Sequence, residues 1–274
     1  MNYRHAFHAG NFADVVKHLA LVAILLHLRK KDAPFAVIDT HAGRGLYDLT
    51  GEAALRTGEA ANGIGRLGDL KGDGTLGEYL SLARRDGTYP GSPAIVAALL
   101  RPQDRLVAIE KHPDEVALLT AALAGFRNAR AEEGDGYARL AALLPPPERR
   151  GLVLIDPPFE AADEFAAALA ALRSGLRRFA TGIYVLWFPI KSAPQANAFC
   201  GEVLNAGVKK AVRIDIAVAA PEPEPGAKER LAAAGLVVVN PPFGFAEELR
   251  AALAQVTPLL GQDARFALTA LAGQ

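Results

Sequence analysis

The chain has one cysteine, Cys200, in 274 residues. A single thiol excludes an intrachain disulfide and any metal cluster built on thiolates. No apolar run is long enough to span a bilayer. The longest candidate, Leu19 to Leu28, is too short and follows Asp14, Lys17 and His18. No secretory leader opens the chain, so the expected setting is the cytoplasm, with no membrane partner. Net charge is missing too: thirty Lys and Arg balance thirty Asp and Glu. Overall charge therefore announces no nucleic-acid partner. RNA contacts, if any, must come from local patches, namely Arg29-Lys30-Lys31, Arg149-Arg150, Arg177-Arg178 and Lys209-Lys210. Taken singly, each reads as a solvated face.

What is present is apolar bulk. Hydrophobic residues make up 51% of the chain, enough for one large α/β domain with an insertion, or for two small domains. Its organising stretch is GLVLIDPPFE, Gly151 to Glu160. Leu152 to Ile155 form a run of strand length, stopped by two prolines, as expected of a strand buried on both faces of a parallel sheet. Asp156, Pro157, Pro158 and Phe159 then fall beyond its carboxyl end, where open α/β sheets bind ligands.

Those residue types suit the holding of a planar amine during attack on an electrophile. The lone pair of adenine's exocyclic nitrogen is delocalised into the ring. Acceptors on its two hydrogens, here the Asp156 carboxylate and the Pro157 carbonyl, draw it toward a tetrahedral shape. Proline's fixed φ holds that carbonyl in place. Phe159 supplies a stacking face worth ~1–3 kcal/mol. The same four residues also suit a plain strand-to-loop turn.

Upstream, Phe35 to Asp39 reads as the first buried strand, running into Thr40-His41-Ala42-Gly43-Arg44-Gly45. An acid and a glycine turn at a strand end hold nucleoside cofactors in doubly wound folds. The third glycine of the dinucleotide fingerprint is absent, which counts against a nicotinamide cofactor. The next strand, Arg105 to Glu110, ends in a carboxylate suited to ribose hydroxyls. That acid usually follows the glycine turn by about 20 residues. Glu110 lies much further on, so residues 49–90 read as an inserted small helical subdomain, with residues 1–48 and 91–274 forming the main domain. Glu133-Gly134-Asp135-Gly136 follows a short third strand and reads as a turn, with or without an adenine ring at its edge.

Other segments give expectations of detail. Phe12 to Leu28 reads as an amphipathic helix capped by Asn11, with His18 at the margin of its apolar stripe. His5, His8 and His18 match no common zinc spacing, and no metal is expected. Ser92 is placed as a helix N-cap ahead of Pro93. Lys210–Val218 and Leu236–Asn240 read as an antiparallel pair, the latter the last long strand, around a stiff acidic PEPEPG loop (221–226). A second motif, Asn240-Pro241-Pro242-Phe243, then falls at the edge opposite the cofactor.

Strand–glycine turn, strand–Glu, acidic turn and strand–DPPF, in that order, resemble a class I S-adenosylmethionine-dependent amino-methyltransferase. The opening, Tyr3-Arg4-His5-Ala6-Phe7-His8-Ala9-Gly10-Asn11 with Ala13-Asp14-Val15 and Lys17-His18, resembles the RlmJ family of 23S ribosomal RNA adenine-N6 methyltransferases. Asp39-Thr40-His41-Ala42-Gly43, Tyr89-Pro90-Gly91-Ser92-Pro93 and Asn240-Pro241-Pro242 match as well. The resemblance implies a Rossmann-like sheet with a helical insertion after the first strand. It implies cofactor contacts from His18, His41, Gly43, Ser92, Glu110, Asp135, Gly136 and Asp156. Asp156, with Pro157 and Phe159, becomes the catalytic group, and Tyr3 and Phe159 touch the RNA. The late motif departs from the family in ending on Phe243 instead of tryptophan, as does Phe12, which replaces a more polar residue. No obligate protein partner is evident. The rival readings are the same chemistry on DNA, on another RNA or on a protein glutamine amide, and a non-catalytic RNA-binding protein on the same fold.

Overall fold

Asn11 starts the fold. In a computed structural model of the chain, which describes residues 4–84, 87–218 and 231–272, its side chain accepts from the Asp14 amide at 2.9 Å. It thereby caps helix α1 (Phe12–Arg29). Tyr3 and the PEPEPG loop lie outside the described residues.

Strand β1 (Ala36–Asp39) leads to the short β2 (Leu46–Asp48). Three helices follow, α2 (Glu52–Thr57), α3 (Glu59–Asn62) and α4 (Gly74–Ala83). β3 (Thr88–Pro90) then returns to pair with β2, Leu46 opposite Pro90. Strand and helix alternate through α5 (Ser92–Leu99), β4 (Arg105–Glu110), α6 (Pro113–Leu123), β5 (Ala129–Glu133), α7 (Gly136–Leu143) and β6 (Gly151–Ile155). Next come α8 (Glu164–Arg178), β7 (Ile183–Pro189), α9 (Ala193–Asn205) and β8 (Ala211–Ala217). β9 (Ala233–Val239), α10 (Phe245–Leu260) and β10 (Arg265–Ala272) complete the described chain.

Eight strands form one sheet in the order β10-β8-β9-β7-β6-β1-β4-β5. The five from β7 to β5 run parallel, and β9, β8 and β10 are antiparallel additions. The chain moves outward from β1 through β4 to β5, then restarts on the other side at β6. That reversal leaves a crevice at the carboxyl ends of β1 and β6. Alternate residues feed two cores. Val37 and Leu152 face a layer containing α1, α5 and α10; Ile38 and Val153 face α8 and α9.

Three expectations are corrected. α1 has no mere stripe: fifteen of its eighteen residues are buried, because α4, α5 and α10 pack around it. His18 therefore sits in the interior, 1% exposed, and not at a margin. Ser92 is the first helical residue of α5 while Gly91 holds the cap position, which frees the Ser92 hydroxyl for another partner. Leu236–Asn240 is not the last long strand, because β10 follows it, held on the sheet by its ladder with β8. The antiparallel course of β9 is as expected. It carries Asn240 to the end of the sheet away from β6's carboxyl end, where Asn240 donates to the carbonyls of Ala180 and Gly182.

Candidate functional site

A cavity of about 1170 Å³ opens at the carboxyl ends of β1, β4 and β6. All ten candidate positions from His18 to Phe159 line it; Tyr3 lies outside the described residues.

The floor is built where β1 ends. Asp39 is fully buried and accepts from Ser92 Oγ at 2.6 Å and from the His41 amide at 3.3 Å. Burial pushes its carboxyl up to about 7, with the charge of Asp156 adding to the rise and the Ser92 hydrogen bond opposing it. Thr40 Oγ1 donates to the Leu154 carbonyl, so its contact with His41 Nδ1 at 2.8 Å places the imidazole proton on Nδ1. Burial lowers the His41 pKa to about 4, which keeps the ring neutral at pH 7.

The glycine turn closes onto β4. Gly43 has φ +61°, a conformation that favours glycine, and its amide donates to Glu110 Oε2 at 2.9 Å. The other Glu110 oxygen accepts from the amides of Lys111 and His112. The carboxylate is thus fixed by three backbone donors and is 8% exposed. On the next turn Asp135 caps α7, accepting from the Tyr137 and Ala138 amides. Its second oxygen accepts from Lys111 Nζ at 3.0 Å, a bond that holds its pKa below the usual range. Gly136 follows because nothing larger fits: a Cβ there would lie 1.9 Å from the Thr40 carbonyl oxygen.

Asp156 stands at the end of β6, as its strand position requires. Lys17 Nζ donates to Asp156 Oδ2 at 2.6 Å and to Asp14 Oδ1 at 2.7 Å. Asp14 Oδ2 in turn accepts from the Gly10 amide and contacts His5 Nε2, both at 2.9 Å. Burial works against both charges of this chain. The opposing charges outweigh it, holding the Lys17 pKa well above and the Asp14 pKa well below their ordinary values. Among the described residues, Asp156 Oδ1 has no hydrogen-bond partner, and Asp156 lines the cavity.

Phe159 takes the left-handed region at φ +50°, a strained setting for an aromatic residue. Its ring meets Phe165 and Trp187 at centroid distances of 4.7 and 5.6 Å. The far wall includes His18. Its Nδ1 contacts the Tyr89 hydroxyl at 2.8 Å, whereas Nε2 is buried with no partner among the described residues. Burial lowers its pKa to about 3. Among the described residues, no group of three His, Cys, Asp or Glu is placed to hold a metal ion.

Lys17, Asp14 and His5 carry no assigned role in the sequence reading. The available signal was a lysine inside an otherwise apolar helix, one residue from His18. The second Pro-Pro motif is not in this cavity.

The chain that carries this arrangement of glycine turn, fixed carboxylates and strand-end DPPF is similar to known proteins. A family profile described as "Ribosomal RNA large subunit methyltransferase D, RlmJ" matches residues 32–268. Two curated relatives carry the name Ribosomal RNA large subunit methyltransferase J. The one from Escherichia coli is 40% identical, over 91% of this chain and 90% of its own length. That from Haemophilus influenzae is 37% identical, over 95% and 94%. A solved protein from Legionella pneumophila superposes with a TM-score of 0.86 at 32% identity, over 96% of this chain and 98% of its own. On this evidence the chain belongs to the RlmJ family of ribosomal RNA large subunit methyltransferases.

Proposed function

We propose that the chain transfers a methyl group from S-adenosylmethionine to the N6 amine of one adenine in 23S ribosomal RNA, acting in the cytoplasm. Family membership supports methyl transfer and the class of RNA. The observation that carries the choice of an amine is Asp156, an ion-paired carboxylate in the cavity wall whose second oxygen has no hydrogen-bond partner among the described residues, next to Pro157 and Phe159.

The residues present fit the donor. His18 Nε2 is a buried polar atom with no partner among the described residues, as expected of a group that completes its bonding with a ligand. Gly136 has no room for a side chain, so backbone lies at the surface a nucleoside would approach. Glu110 is fixed and suits ribose hydroxyls, and Asp135 with Gly136 suits the edge of the donor's adenine. Ser92, through Asp39, and His41 set the floor beneath. When bound, S-adenosylmethionine supplies a methyl on a sulfonium that already carries its leaving group.

Positioning then provides most of the acceleration. Asp156 Oδ1 and the Pro157 carbonyl accept the two amine hydrogens, and Phe159 stacks on the base. Lys17 fixes the orientation of Asp156 through its 2.6 Å hydrogen bond, so the carboxylate acts as an acceptor without needing to be a strong base. Residues 49–90 act as an inserted helical subdomain that contributes Arg56, Thr57 and Glu59 to the cavity wall. Tyr3, which lies outside the described residues, is assigned to the RNA.

Incubation with methyl-labelled S-adenosylmethionine and unmodified 23S RNA, DNA or protein, followed by nucleoside analysis, tests the reading. Label in N6-methyladenosine from the RNA alone is the expected result. Label in another nucleoside, or in DNA or protein alone, refutes it.

A further inference from the structure

Zero net charge hides a division of charge between the two ends of the sheet. Nine carboxylates and five lysines or arginines line the cavity. Of those five cations, Lys17 and Lys111 are already ion-paired. A polyanion gains little attraction from such a mouth.

The four basic patches of the sequence meet at the opposite edge. Arg29 ends α1, and Lys30 and Lys31 follow it. Arg149 and Arg150 precede β6, Arg177 and Arg178 end α8 ahead of β7, and Lys209 and Lys210 precede β8. The contacts between these segments fix the convergence. Arg150 donates to the carbonyls of Leu28 and Ala33, and the Asn240 amide donates to the Lys210 carbonyl. Asn240 Nδ2 ties the end of β9 to Ala180 and Gly182. A hollow of about 210 Å³, lined in part by His27, Lys31, Arg150, Asn240 and Pro242, lies between them. Apart from Arg150, these cations are exposed, and none has an ion pair among the described residues. The acids nearby are fewer: Asp32 and the half-buried Glu248, with Asp104 and Glu148, which are paired with Arg101 and Arg105.

One aromatic completes the surface. Phe243, in the second Pro-Pro motif, is 96% exposed. Asn240, at φ +52°, and two prolines fix the turn that presents it. A large apolar ring held in water beside cations is what base stacking on single-stranded nucleic acid uses.

We propose that this edge is a second RNA-binding surface, which grips phosphates and one unpaired base of the same RNA at a distance from the reacting adenine. The proposal rests on the RNA reading above. It assigns affinity to the basic edge and chemistry to the cavity. An exposed ring fixed by prolines and flanked by cations favours folded RNA with a looped base over an anionic membrane.

The test uses the full chain and full-length 23S RNA. Binding is measured by filter retention across salt for the parent, for a quadruple variant (R177Q, R178Q, K209Q, K210Q) and for F243A. Calorimetric affinity for S-adenosylhomocysteine and the thermal melt check that fold and cavity are intact. Each phosphate contact contributes roughly 0.7–0.9 to the salt slope. The quadruple variant is expected to lower that slope by about 3 and to weaken binding at least tenfold. F243A is expected to weaken binding about fivefold or more. Both should keep S-adenosylhomocysteine affinity. Unchanged RNA binding in both variants overturns the proposal. So does loss of binding to anionic phosphatidylserine vesicles with RNA binding intact. Because the readout is binding, absence of methyl transfer by the parent would count against the enzymatic reading and leave this test readable.

Discussion

Lys17 and Asp156 are 139 positions apart and meet at 2.6 Å. One is buried in the first helix and the other follows the sixth strand, so the pair locks α1 to the cavity edge of the sheet. A buried lysine between two carboxylates cannot be removed quietly, because each partner is left as an uncompensated charge.

Lys17→Met should therefore destabilise the protein by roughly 3–5 kcal/mol and abolish methyl transfer, as read by thermal melting and label incorporation. Lys17→Met combined with Asp14→Asn removes one orphaned carboxylate and should recover part of the stability without recovering activity. Full activity in the single variant would remove Lys17 from the mechanism.

Asp156→Asn keeps the shape and an acceptor oxygen but loses the ion pair with Lys17. It should fold, bind S-adenosylhomocysteine, and transfer methyl at least ~10²-fold more slowly, since fixed polar groups at a reacting centre are each worth about that much. Single-turnover rates at saturating RNA measure the effect.

Gly136→Ala places a Cβ against the Thr40 carbonyl. The floor of the cavity must shift, at a cost of about 1–3 kcal/mol. Calorimetry should find S-adenosylhomocysteine affinity reduced at least tenfold. Retained affinity would show that the turn yields without disturbing the site.

Asp39 gives a pH signature. Its folded pKa is raised to about 7, above the ~3.9 of an unfolded chain. Between those values the folded state holds the extra proton, so stability falls as pH rises from about 4 to 7 and is level above. Asp39→Asn lacks that loss. Melting temperature of the parent relative to the variant should drop by several degrees between pH 5 and pH 8, at about 2–4 °C per kcal/mol for a chain of this size. Parallel curves would mean that Asp39 stays ionised.

The parallel half of the sheet was legible in residues. Arg105–Glu110 appears with the bounds its sequence predicts, because Leu106, Val107 and Ile109 alternate between two buried layers and one acid ends the run. The positions at strand ends, Gly43, Glu110, Asp135 and Asp156, were legible for the same reason, since parallel strands deliver their last residues to one edge; His18 and Ser92, on helices, came only through the family resemblance. β10 was not: RFALTALA alternates weakly and becomes a strand through its ladder with β8. The role of Ser92 was hidden because a serine ahead of Pro93 is an equally good cap, and only Asp39's position decides its partner. Lys17 pairs with Asp156 across the fold, which no local spacing reports. The basic patches looked like separate solvated faces for the opposite reason. Each is unremarkable locally, and only the common start of the strands brings them together.

β1 lies between β4 and β6, so the middle of the sheet is synthesised before either flank. At roughly 5–20 residues per second, a nascent chain holds that strand unpaired on the β6 side for on the order of ten seconds. Throughout that interval the leucine-rich α1 has no finished layer to rest on. Translation therefore exposes the apolar α1 well before α10, the last of the helices packed against it, is made.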